Sequence, residues 1–230
     1  MPKSRKKSRV AVFDIDGTIF RSSLQRELIM ALVRFDVFPA IVKKELEQNY
    51  FSWVNRQGSY EDYIIQVVRS YEKRIAGVSV EDVRRVAQIV IGQQKSRVYT
   101  YTRELIEKLR PTHMLVAISG SPIEIVEEFN GFYKFDEVFG MIFQTHDGRY
   151  TGEVLEVPIR DKRAVLKKYL LEHNMKLVGS VGVGDGESDA SFLEMVSRPI
   201  CFNPNRNLYK IAKRKGWKIV VERKDVIYEM

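Results

Sequence analysis

Residues 9–20, RVAVFDIDGTIF, contain the pattern that decides the fold. An apolar, β-branched run at residues 10–13 ends at Asp14 and Asp16, which a glycine and a threonine follow. A short apolar run bounded by a turn signal is typical of a strand buried on both faces. Because open α/β sheets bind ligands at the carboxyl ends of their strands, we expect both carboxylates at a ligand-binding edge. Two neighbouring acids are costly to bury without a cation, so the pattern predicts a divalent metal ion between them.

The same stretch has a second interpretation, a strand followed by a solvated Asp/Gly turn, and these residues alone leave it open. A calcium loop is a third possibility, because DxDG also begins loops of the EF-hand type. Such loops need further oxygen ligands at spaced positions. Ile15, Thr18 and Phe20 do not supply that pattern.

Size and composition describe one sizeable domain with an insertion, or two small domains. The chain has 230 residues, of which 44% are hydrophobic and 30% are charged, as in ordinary soluble globular proteins. No apolar run approaches the length of a membrane span. The basic opening, MPKSRKKSR, leads into the first strand rather than a signal-peptide core, so we expect a basic tail over residues 1–8 and a cytoplasmic protein. A single cysteine, Cys201, excludes an intrachain disulfide and a zinc site built from cysteines.

The net charge of +8 has two interpretations, nucleic-acid binding or attraction of small anionic substrates. Lysine and arginine are spread along the whole chain, and no nucleic-acid-binding motif accompanies them. We therefore interpret most of the charge as solvated helix faces. Neither a nucleic acid nor a membrane is an expected partner, and no oligomeric state is predicted.

Helical periodicity dominates residues 21–110, where apolar residues recur three and four positions apart and no strand is clearly bounded. A block of helices placed directly after a buried strand suggests a subdomain that covers the end of that strand. We expect a core formed by residues 9–20 and 101–230, and a helical cap over residues 21–100.

A second buried strand is expected at residues 114–118, and it ends in the sequence SGSPIE. In this sequence Ser121 is interpreted as a helix N-cap, Pro122 as the first helical residue and Glu124 as the end of a capping box. A helix that starts directly after a strand directs free N–H groups to the sheet edge, where they bind phosphate readily. Capping does not account for Ser119 and Gly120, so we interpret these two as functional.

The following region combines a hairpin with a helix. Alternation over residues 141–155 around Asp147–Gly148 predicts a β-hairpin with a type I′ turn, projecting from the main sheet. Lys162 then falls in the first turn of a helix, where the macrodipole disfavours a cation, so it needs a negative neighbour. On local sequence alone, we expect Lys162 to form a salt bridge with Asp161 or to adopt an exposed rotamer.

A third buried strand, at residues 179–183, repeats the opening arrangement by delivering Asp185, with Asp189 four residues later. The glycines of this stretch do not form a dinucleotide-binding motif, because the pattern G-x-G-x-x-G would require glycine at the position of Glu187. Two more short strands are expected at residues 199–202 and 218–221.

These motifs, FDIDGT, ISGS, a lysine that opens a later helix and GDGESD, occur in the order of the four motifs of the haloacid dehalogenase superfamily. With helices after the first motif and the SGSP form of the second, the chain resembles the phosphoserine phosphatase branch. The resemblance implies an α/β fold, a doubly wound Rossmann-like parallel sheet with an inserted helical cap and a small β-hairpin. It also implies a Mg²⁺-dependent phosphatase that acts on a small phosphorylated metabolite.

The resemblance assigns a role to each motif residue. Asp14 would attack a phosphate monoester to form an aspartyl-phosphate, and Asp16 would protonate the leaving alcohol and then deprotonate water. Mg²⁺ would be held by Asp14, the backbone carbonyl of Asp16, and Asp185. The remaining phosphate oxygens would contact Ser119, the Gly120 N–H and Lys162, and Asp189 would orient Lys162. Arg163 and Lys167 are the alternatives to Lys162.

Substrate contacts follow the family pattern less closely. In phosphoserine phosphatases a glutamate nine residues beyond the nucleophile holds the substrate amine, and that position is Ser23 here. Glu27 lies one turn further along the predicted helix and is the candidate to replace it. The arginine that binds the substrate carboxylate has three candidates in the cap, Arg56, Arg69 and Arg74. We therefore expect a small phosphate monoester, with phosphoserine as a disfavoured candidate.

Three other function classes compete with a phosphatase. A phosphotransferase would use the same aspartyl-phosphate and pass the phosphoryl group to another alcohol. A two-component receiver domain also joins Asp, Ser/Thr and Lys at a sheet edge, but it has no long helical insertion. A non-catalytic nucleic-acid-binding protein would account for the positive charge and leave the aligned acids without an explanation.

Overall fold

A computed structural model describes residues 7–230, so the expected basic tail lies outside the described residues except for its last two positions. The described chain forms one sheet of eight strands in the order β4-β3-β2-β1-β5-β6-β7-β8. The strands are β1 (Arg9–Phe13), β2 (His113–Pro122), β3 (Glu137–His146), β4 (Arg149–Glu156), β5 (Val181–Gly184), β6 (Arg198–Phe202), β7 (Lys218–Arg223) and β8 (Val226–Glu229).

Helices fill the connections and cover both faces of the sheet. They are α1 (Leu24–Arg34), α2 (Ile41–Val54), α3 (Tyr60–Glu72), α4 (Val80–Gln94), α5 (Thr100–Leu109), α6 (Ile123–Tyr133), α7 (Lys162–Glu172), α8 (Ala190–Leu193) and α9 (Arg206–Lys215). Short 3₁₀ turns occupy Pro158–Arg160 and Glu187–Asp189. Within residues 7–230, no helix combines the length and the hydropathy needed to cross a membrane.

Strand β1 is central, and its register determines which side chains meet at the sheet edge. It runs parallel to β2 on one side and to β5 on the other, with Phe13 opposite Ala117 and Val183. Residues just beyond these three strands therefore emerge at the same edge. The mostly parallel α/β sheet, its helical insertion after β1 and the β3–β4 hairpin confirm the predicted fold class. Strand β8, which pairs antiparallel with β7, was not predicted; it has only four residues, and all of them are exposed.

Two apolar clusters pack on opposite faces of the sheet. Side chains at alternate positions of β1 divide between them: Ala11 and Phe13 pack with helices α1, α4 and α6, whereas Val10 and Val12 pack with α7, α8 and α9. The inserted helices therefore share a continuous core with one face of the sheet. This burial on both faces explains why β1 reads as an uninterrupted apolar run rather than an alternating one.

The prediction that Ser121 caps a helix is wrong. Strand β2 continues as far as Pro122 and α6 begins at Ile123, with Pro122 as N-cap and no side-chain cap among the described residues. The hydroxyl of Ser121 instead takes part in tertiary contacts described below. The carboxyl of Glu124 accepts a hydrogen bond of 2.6 Å from the Tyr150 hydroxyl, so it closes no capping box.

The hairpin turn has the expected chemistry, because Asp147 and Gly148 have φ of 48° and 73°. Two consecutive positive φ values are what a type I′ turn requires. The first half of β3 lies within the sheet beside β2, and its second half pairs with β4. The hairpin therefore extends the sheet rather than projecting from it as a separate unit.

Gly140 and Gly131 differ in the space that surrounds them, so they form a matched pair for testing the packing at the end of β2. A Cβ on Gly140 of β3 would lie 2.9 Å from the Ser121 carbonyl oxygen and from the Ile123 Cα, whereas a Cβ on Gly131 of α6 would meet no described atom within 4 Å. We expect Gly140→Ala to lower the free energy of unfolding by about 1–3 kcal/mol through overpacking. Gly131→Ala should raise it by roughly 0.4–1 kcal/mol, because alanine restricts the unfolded chain more than glycine does. Urea denaturation of both variants checks the pair, and equal stabilities would contradict the packing at the end of β2.

Candidate active site

Asp14 and Asp185 meet at the carboxyl ends of β1 and β5. The Asp14 N–H donates to the Val183 carbonyl at 2.9 Å, which carries the β1–β5 pairing one residue past the strand and sets Asp14 beside the end of β5. Asp14 is 5% exposed, and Asp185 is half-buried. Sequence analysis predicted this meeting, and the structure brings the two residues together.

Lys162 joins this pair from the first turn of α7. Its side chain is 1% exposed, and its Nζ lies 2.6 Å from Asp14 Oδ1 and 2.6 Å from Asp189 Oδ1. The predicted alternative of a salt bridge to Asp161 is wrong, because the Asp161 side chain caps α7 by accepting from the Ala164 N–H. The macrodipole cost of a cation at this position is offset by two buried carboxylates rather than by a neighbour in sequence.

The two alternatives to Lys162 lie elsewhere. Arg163 forms an ion pair with Glu194 and donates to the Ser191 carbonyl, and Lys167 is exposed on α7. Of these three basic residues, Lys162 is the one that contacts Asp14.

Asp189 holds Lys162 in place and is itself held by the backbone. Its Oδ2 accepts from the N–H groups of Asp185 and Gly186, both at 2.9 Å, while Oδ1 accepts from Lys162. A Cβ on Gly184 would lie 2.5 Å from the Asp189 side chain, so the close approach of β5 requires glycine there. Both carboxylate oxygens of Asp189 are thus engaged, which fits an orienting role for this residue.

Asp16 points toward the start of α1. It accepts from the Ser119 hydroxyl at 2.6 Å, from the Ser121 hydroxyl at 2.9 Å and from the Leu24 N–H at the first turn of α1. The structure therefore directs the hydroxyl of Ser119 to Asp16, whereas sequence analysis expected it on a phosphate oxygen. The contact of Ser121 with Asp16 was missed, because the local S-P-x-E pattern already had a capping explanation.

Residues of the first motif also shape the surroundings of Asp185. The Thr18 hydroxyl donates to Asp185 Oδ1 at 3.3 Å. Gly17 has φ of +85°, and a Cβ there would lie 2.2 Å from Asp185 Oδ2. Glycine at this position thus serves both the backbone conformation and the space that Asp185 occupies.

The electrostatics of the cluster show an excess of negative charge. Burial raises the pKa of Asp14 to about 7, although the Lys162 ammonium lowers it. Burial, together with the charges of Asp14 and Asp189, raises the pKa of Asp185 well above its usual value. Burial also raises the pKa of Asp16, against hydrogen bonds from Ser119 and Leu24 that lower it. For Lys162, burial by itself lowers the pKa, but the carboxylates of Asp14 and Asp189 raise it by more. The net shift of the Lys162 pKa is therefore upward.

The residues present fit a divalent cation. Oxygen atoms of Asp14, Asp185 and Asp189 lie within 4.8 Å of one another. Lys162 forms ion pairs with two of these carboxylates, Asp14 and Asp189. Asp14 Oδ2 is buried and has no hydrogen-bond partner in the described part of the chain. Carboxylate oxygens are the ligands that Mg²⁺ prefers, and a positive charge beside Asp14 Oδ2 would compensate the burial. Because both oxygens of Asp189 have partners, Asp14 and Asp185 are the side chains that would hold the ion.

A cavity of about 510 Å³ opens from this cluster toward the inserted helices. Asp14, Asp16 and Asp185 lie at one end, together with Gly120, whose Cβ position would be 2.9 Å from the Ile159 side chain. Lys162 is buried and contacts Asp14 without lining this cavity. The remaining wall is formed by Ser23, Gln25, Tyr60, Ile64, Ile65, Val68, Arg69, Glu72, Ser121, Met141, Val157, Ile159, Arg160, Gly186, Glu187, Ser188, Asp189 and Asn205.

The predicted substrate contacts divide into those that reach the cavity and those that do not. Ser23 lines the cavity but caps α1 by accepting from the Arg26 N–H. Glu27 is held by four partners, namely Ser22, Arg26, Gln94 and Arg97.

Of the three candidate arginines, Arg69 lines the cavity. Arg56 is exposed and is not among the lining residues that the structure describes. Arg74 forms an ion pair with Glu45. The side chain of Gln25, also on the cavity wall, was missed because a polar residue in the first turn of a helix carries no functional signal.

Comparison with known proteins agrees with this geometry. Residues 11–194 match the haloacid dehalogenase-like hydrolase family, and the chain belongs to this family of enzymes. Histidinol-phosphatase of Neisseria meningitidis serogroup C (strain 8013) is 19% identical over 222 residues, which cover 92% of this chain and 97% of that protein. Phosphoserine phosphatase SerB1 of Mycobacterium tuberculosis (strain ATCC 25618 / H37Rv) is 20% identical and is matched over 91% of this chain and 69% of its own length.

Solved structures share the fold. A protein of unknown function from Bordetella pertussis Tohama I superposes with a TM-score of 0.75 at 18% identity, covering 93% of this chain and 98% of that one. A phospho-aspartyl intermediate analogue of phosphoserine phosphatase superposes with a TM-score of 0.63 at 22% identity, covering 96% of each chain. Family membership sets aside the receiver domain and the non-catalytic nucleic-acid-binding protein as alternatives.

The ion pairs of Lys162 generate a stability prediction. Lys162→Met leaves Asp14 and Asp189 buried without their cation, so we expect a loss of about 3–5 kcal/mol of unfolding free energy at pH 8 without metal. Lys167→Met, on the exposed side of the same helix, should stay within about 0.5 kcal/mol of wild type. Lys162 lowers the pKa of Asp14, which is about 7 with the lysine present, so this pKa should be higher in the variant. The loss should therefore be smaller at pH 5, where Asp14 is neutral in both proteins, than at pH 8. Urea denaturation at pH 5 and pH 8 measures this, and similar losses in both variants would show that Lys162 does not balance the cluster.

Proposed function

We propose that this hydrolase is a Mg²⁺-dependent phosphatase that cleaves a small phosphate monoester through an aspartyl-phosphate intermediate. The observation that carries the proposal is the state of Asp14. One of its oxygens is held by Lys162, the other is buried without a hydrogen-bond partner in residues 7–230, and the residue belongs to the carboxylate cluster. A carboxylate that a lysine holds in place beside a candidate cation site is suited to nucleophilic attack.

The first half-reaction uses both aspartates of the first motif. A carboxylate oxygen of Asp14 attacks phosphorus, the bond from phosphorus to the ester oxygen breaks, and Asp16 donates a proton to the departing alkoxide. Burial, by raising the pKa of Asp16, increases the population that carries this proton. Bound Mg²⁺ would supply positive charge for the phosphoryl oxygens.

The second half-reaction returns the enzyme to its starting state. Asp16, now a carboxylate, takes a proton from water, and the water oxygen attacks the phosphorus of the intermediate. The bond between phosphorus and Asp14 breaks and inorganic phosphate leaves. Lys162 stabilises the Asp14 carboxylate when it departs, and Asp189 keeps the lysine directed at it.

Phosphate binding is assigned to the Gly120 N–H at the wall of the cavity, to Ser119, its neighbour in sequence, and to Lys162, which is held on Asp14. Ser119 reaches a phosphate oxygen only if its hydroxyl turns away from Asp16. Substrate binding would therefore replace the hydrogen bond from Ser119 to Asp16 with a hydrogen bond from Ser119 to the phosphate.

The proposal includes a division of the chain, in which residues 9–20 and 101–230 form the catalytic core and residues 21–100 form the cap. The cavity supports it, because the cavity extends from Asp14 and Asp185 to Tyr60, Ile64 and Val68 on α3. Substrate selection would then lie with the cap and chemistry with the core. The names of two relatives, histidinol-phosphatase and phosphoserine phosphatase, support a small phosphorylated metabolite as substrate.

Removing the nucleophile tests the mechanism. We expect Asp14→Asn to lower kcat on p-nitrophenyl phosphate by at least about 10³-fold, because the amide is a poor nucleophile. Asp225→Asn, in the exposed turn between β7 and β8, is the matched control and should keep wild-type activity. Turnover of Asp14→Asn near the wild-type rate would refute the assignment. Products formed with added alcohols separate a phosphatase, which releases inorganic phosphate, from a phosphotransferase, which forms a new ester.

Metal binding has a readout that is independent of activity. Mg²⁺ at about 100 times its Kd should stabilise the folded protein by about 2.7 kcal/mol. Asp185→Asn removes a ligand carboxylate and should abolish most of this gain, whereas the exposed Asp36→Asn should retain it. Thermal unfolding with and without MgCl₂ measures the difference. An Asp185→Asn variant stabilised as strongly as wild type would place the ion elsewhere.

A further inference from the structure

The side chain of Gln25 is a buried hydrogen-bond donor that the proposed chemistry does not use. It is 3% exposed, it lines the cavity, and its Nε2 has no hydrogen-bond partner within the described chain. Leaving a buried amide donor unsatisfied is energetically unfavourable. A ligand in the cavity that accepts this hydrogen bond would recover that cost.

The backbone fixes Gln25 next to the proposed catalytic acid. The N–H of Leu24 donates to Asp16, and the N–H of Gln25 donates to the Ser121 hydroxyl, which itself contacts Asp16. Both residues begin α1, so the Gln25 side chain leaves the backbone one residue after the contact that holds Asp16. A group bonded to the leaving oxygen of the substrate would lie close to this amide.

The wall beyond Gln25 is apolar. Helix α3 contributes Tyr60, Ile64, Ile65 and Val68, which repeat at helical spacing and face the cavity. Met141, Val157 and Ile159 also line it. Apolar walls with a few placed polar groups are typical of pockets for small organic molecules, and the volume of about 510 Å³ lies in the usual range of such pockets.

The charged side chains of the outer cavity are poorly placed for a substrate ammonium group. Arg69, Arg160 and Glu187 are exposed and Glu72 is half-buried, so water screens them. The one carboxylate buried in the first helix, Glu27, already receives hydrogen bonds from four residues. An amino-alcohol head group would therefore lose its hydration against apolar side chains without gaining a buried partner.

We propose that Gln25 determines specificity by donating a hydrogen bond to the leaving alcohol of the substrate, which is a ring-sized, mostly apolar group that carries an acceptor atom. This inference rests on the proposed phosphatase function and deepens it. Discrimination against an analogue without the acceptor arises because that analogue leaves the amide buried and unpaired.

A set of matched esters tests the inference. Benzyl phosphate has the ring without an acceptor, and the 2-, 3- and 4-pyridylmethyl phosphates add one acceptor nitrogen at different positions. We expect at least one pyridylmethyl ester to exceed benzyl phosphate in kcat/KM by about tenfold in the wild type. Gln25→Leu, which keeps the volume and removes the amide, should bring this ratio close to its value for uncatalysed hydrolysis. Because each ratio is compared between enzymes on the same esters, their intrinsic reactivities cancel.

Controls separate specificity from other roles. Gln48→Leu, at an exposed position of α2, should leave the ratio unchanged, and Gln25→Asn should restore part of it. An equal loss on all four esters in Gln25→Leu would show that Gln25 acts by positioning Asp16 and would overturn the proposal. Faster cleavage of phosphoserine than of every ring ester would overturn the assigned substrate class. If the wild type cleaves no ester at all, the proposed phosphatase function fails first, and that outcome is distinguishable from an unchanged ratio.

Discussion

The ion pairs of Lys162 with Asp14 and Asp189 are the interaction on which the rest of the site depends. A lysine that is 1% exposed costs several kcal/mol to bury alone, and two carboxylates at 2.6 Å offset that cost. The same contacts bring together α7, the end of β1 and the turn after β5, which are far apart in sequence. One buried cation therefore organises the carboxylates and also orients the oxygen of Asp14 that it does not contact.

Negative charge remains in excess even with this lysine. The pKa values of Asp14 and Asp185 are raised for the same reason, since both carboxyls lose solvation and lie beside other carboxylates. A metal-free cluster of this kind favours protonated acids, whereas a bound divalent ion would favour the carboxylates that a nucleophile and its ligands need. The electrostatic cost of the cluster and its suitability for a cation thus have one physical origin, the crowding of carboxylates at the carboxyl edge of three parallel strands.

Much of the fold and of this cluster could be predicted, because each feature has a local signal. Apolar runs in the sequence predicted β1, β2 and β5. Because the strands are parallel, acids or serines placed directly after these runs lie at the same carboxyl edge of the sheet. The partner of Lys162 could be predicted only through the family resemblance, since the nearest acid in sequence, Asp161, is the helix cap. Ser121 was misread because a capping pattern explains its surroundings equally well, and only tertiary packing decides that its hydroxyl contacts Asp16. Gln25 gave no signal, because cavity lining is set by α1, α3 and the turn Pro158–Arg160 together.

The most direct test of the central claim is the position of the metal ion in a crystal grown with Mn²⁺, read from its anomalous scattering. The account predicts one strong peak bounded by oxygens of Asp14 and Asp185, with Lys162 still on the other oxygen of Asp14. A peak outside this cluster, or Lys162 displaced from Asp14 when the ion binds, would contradict it.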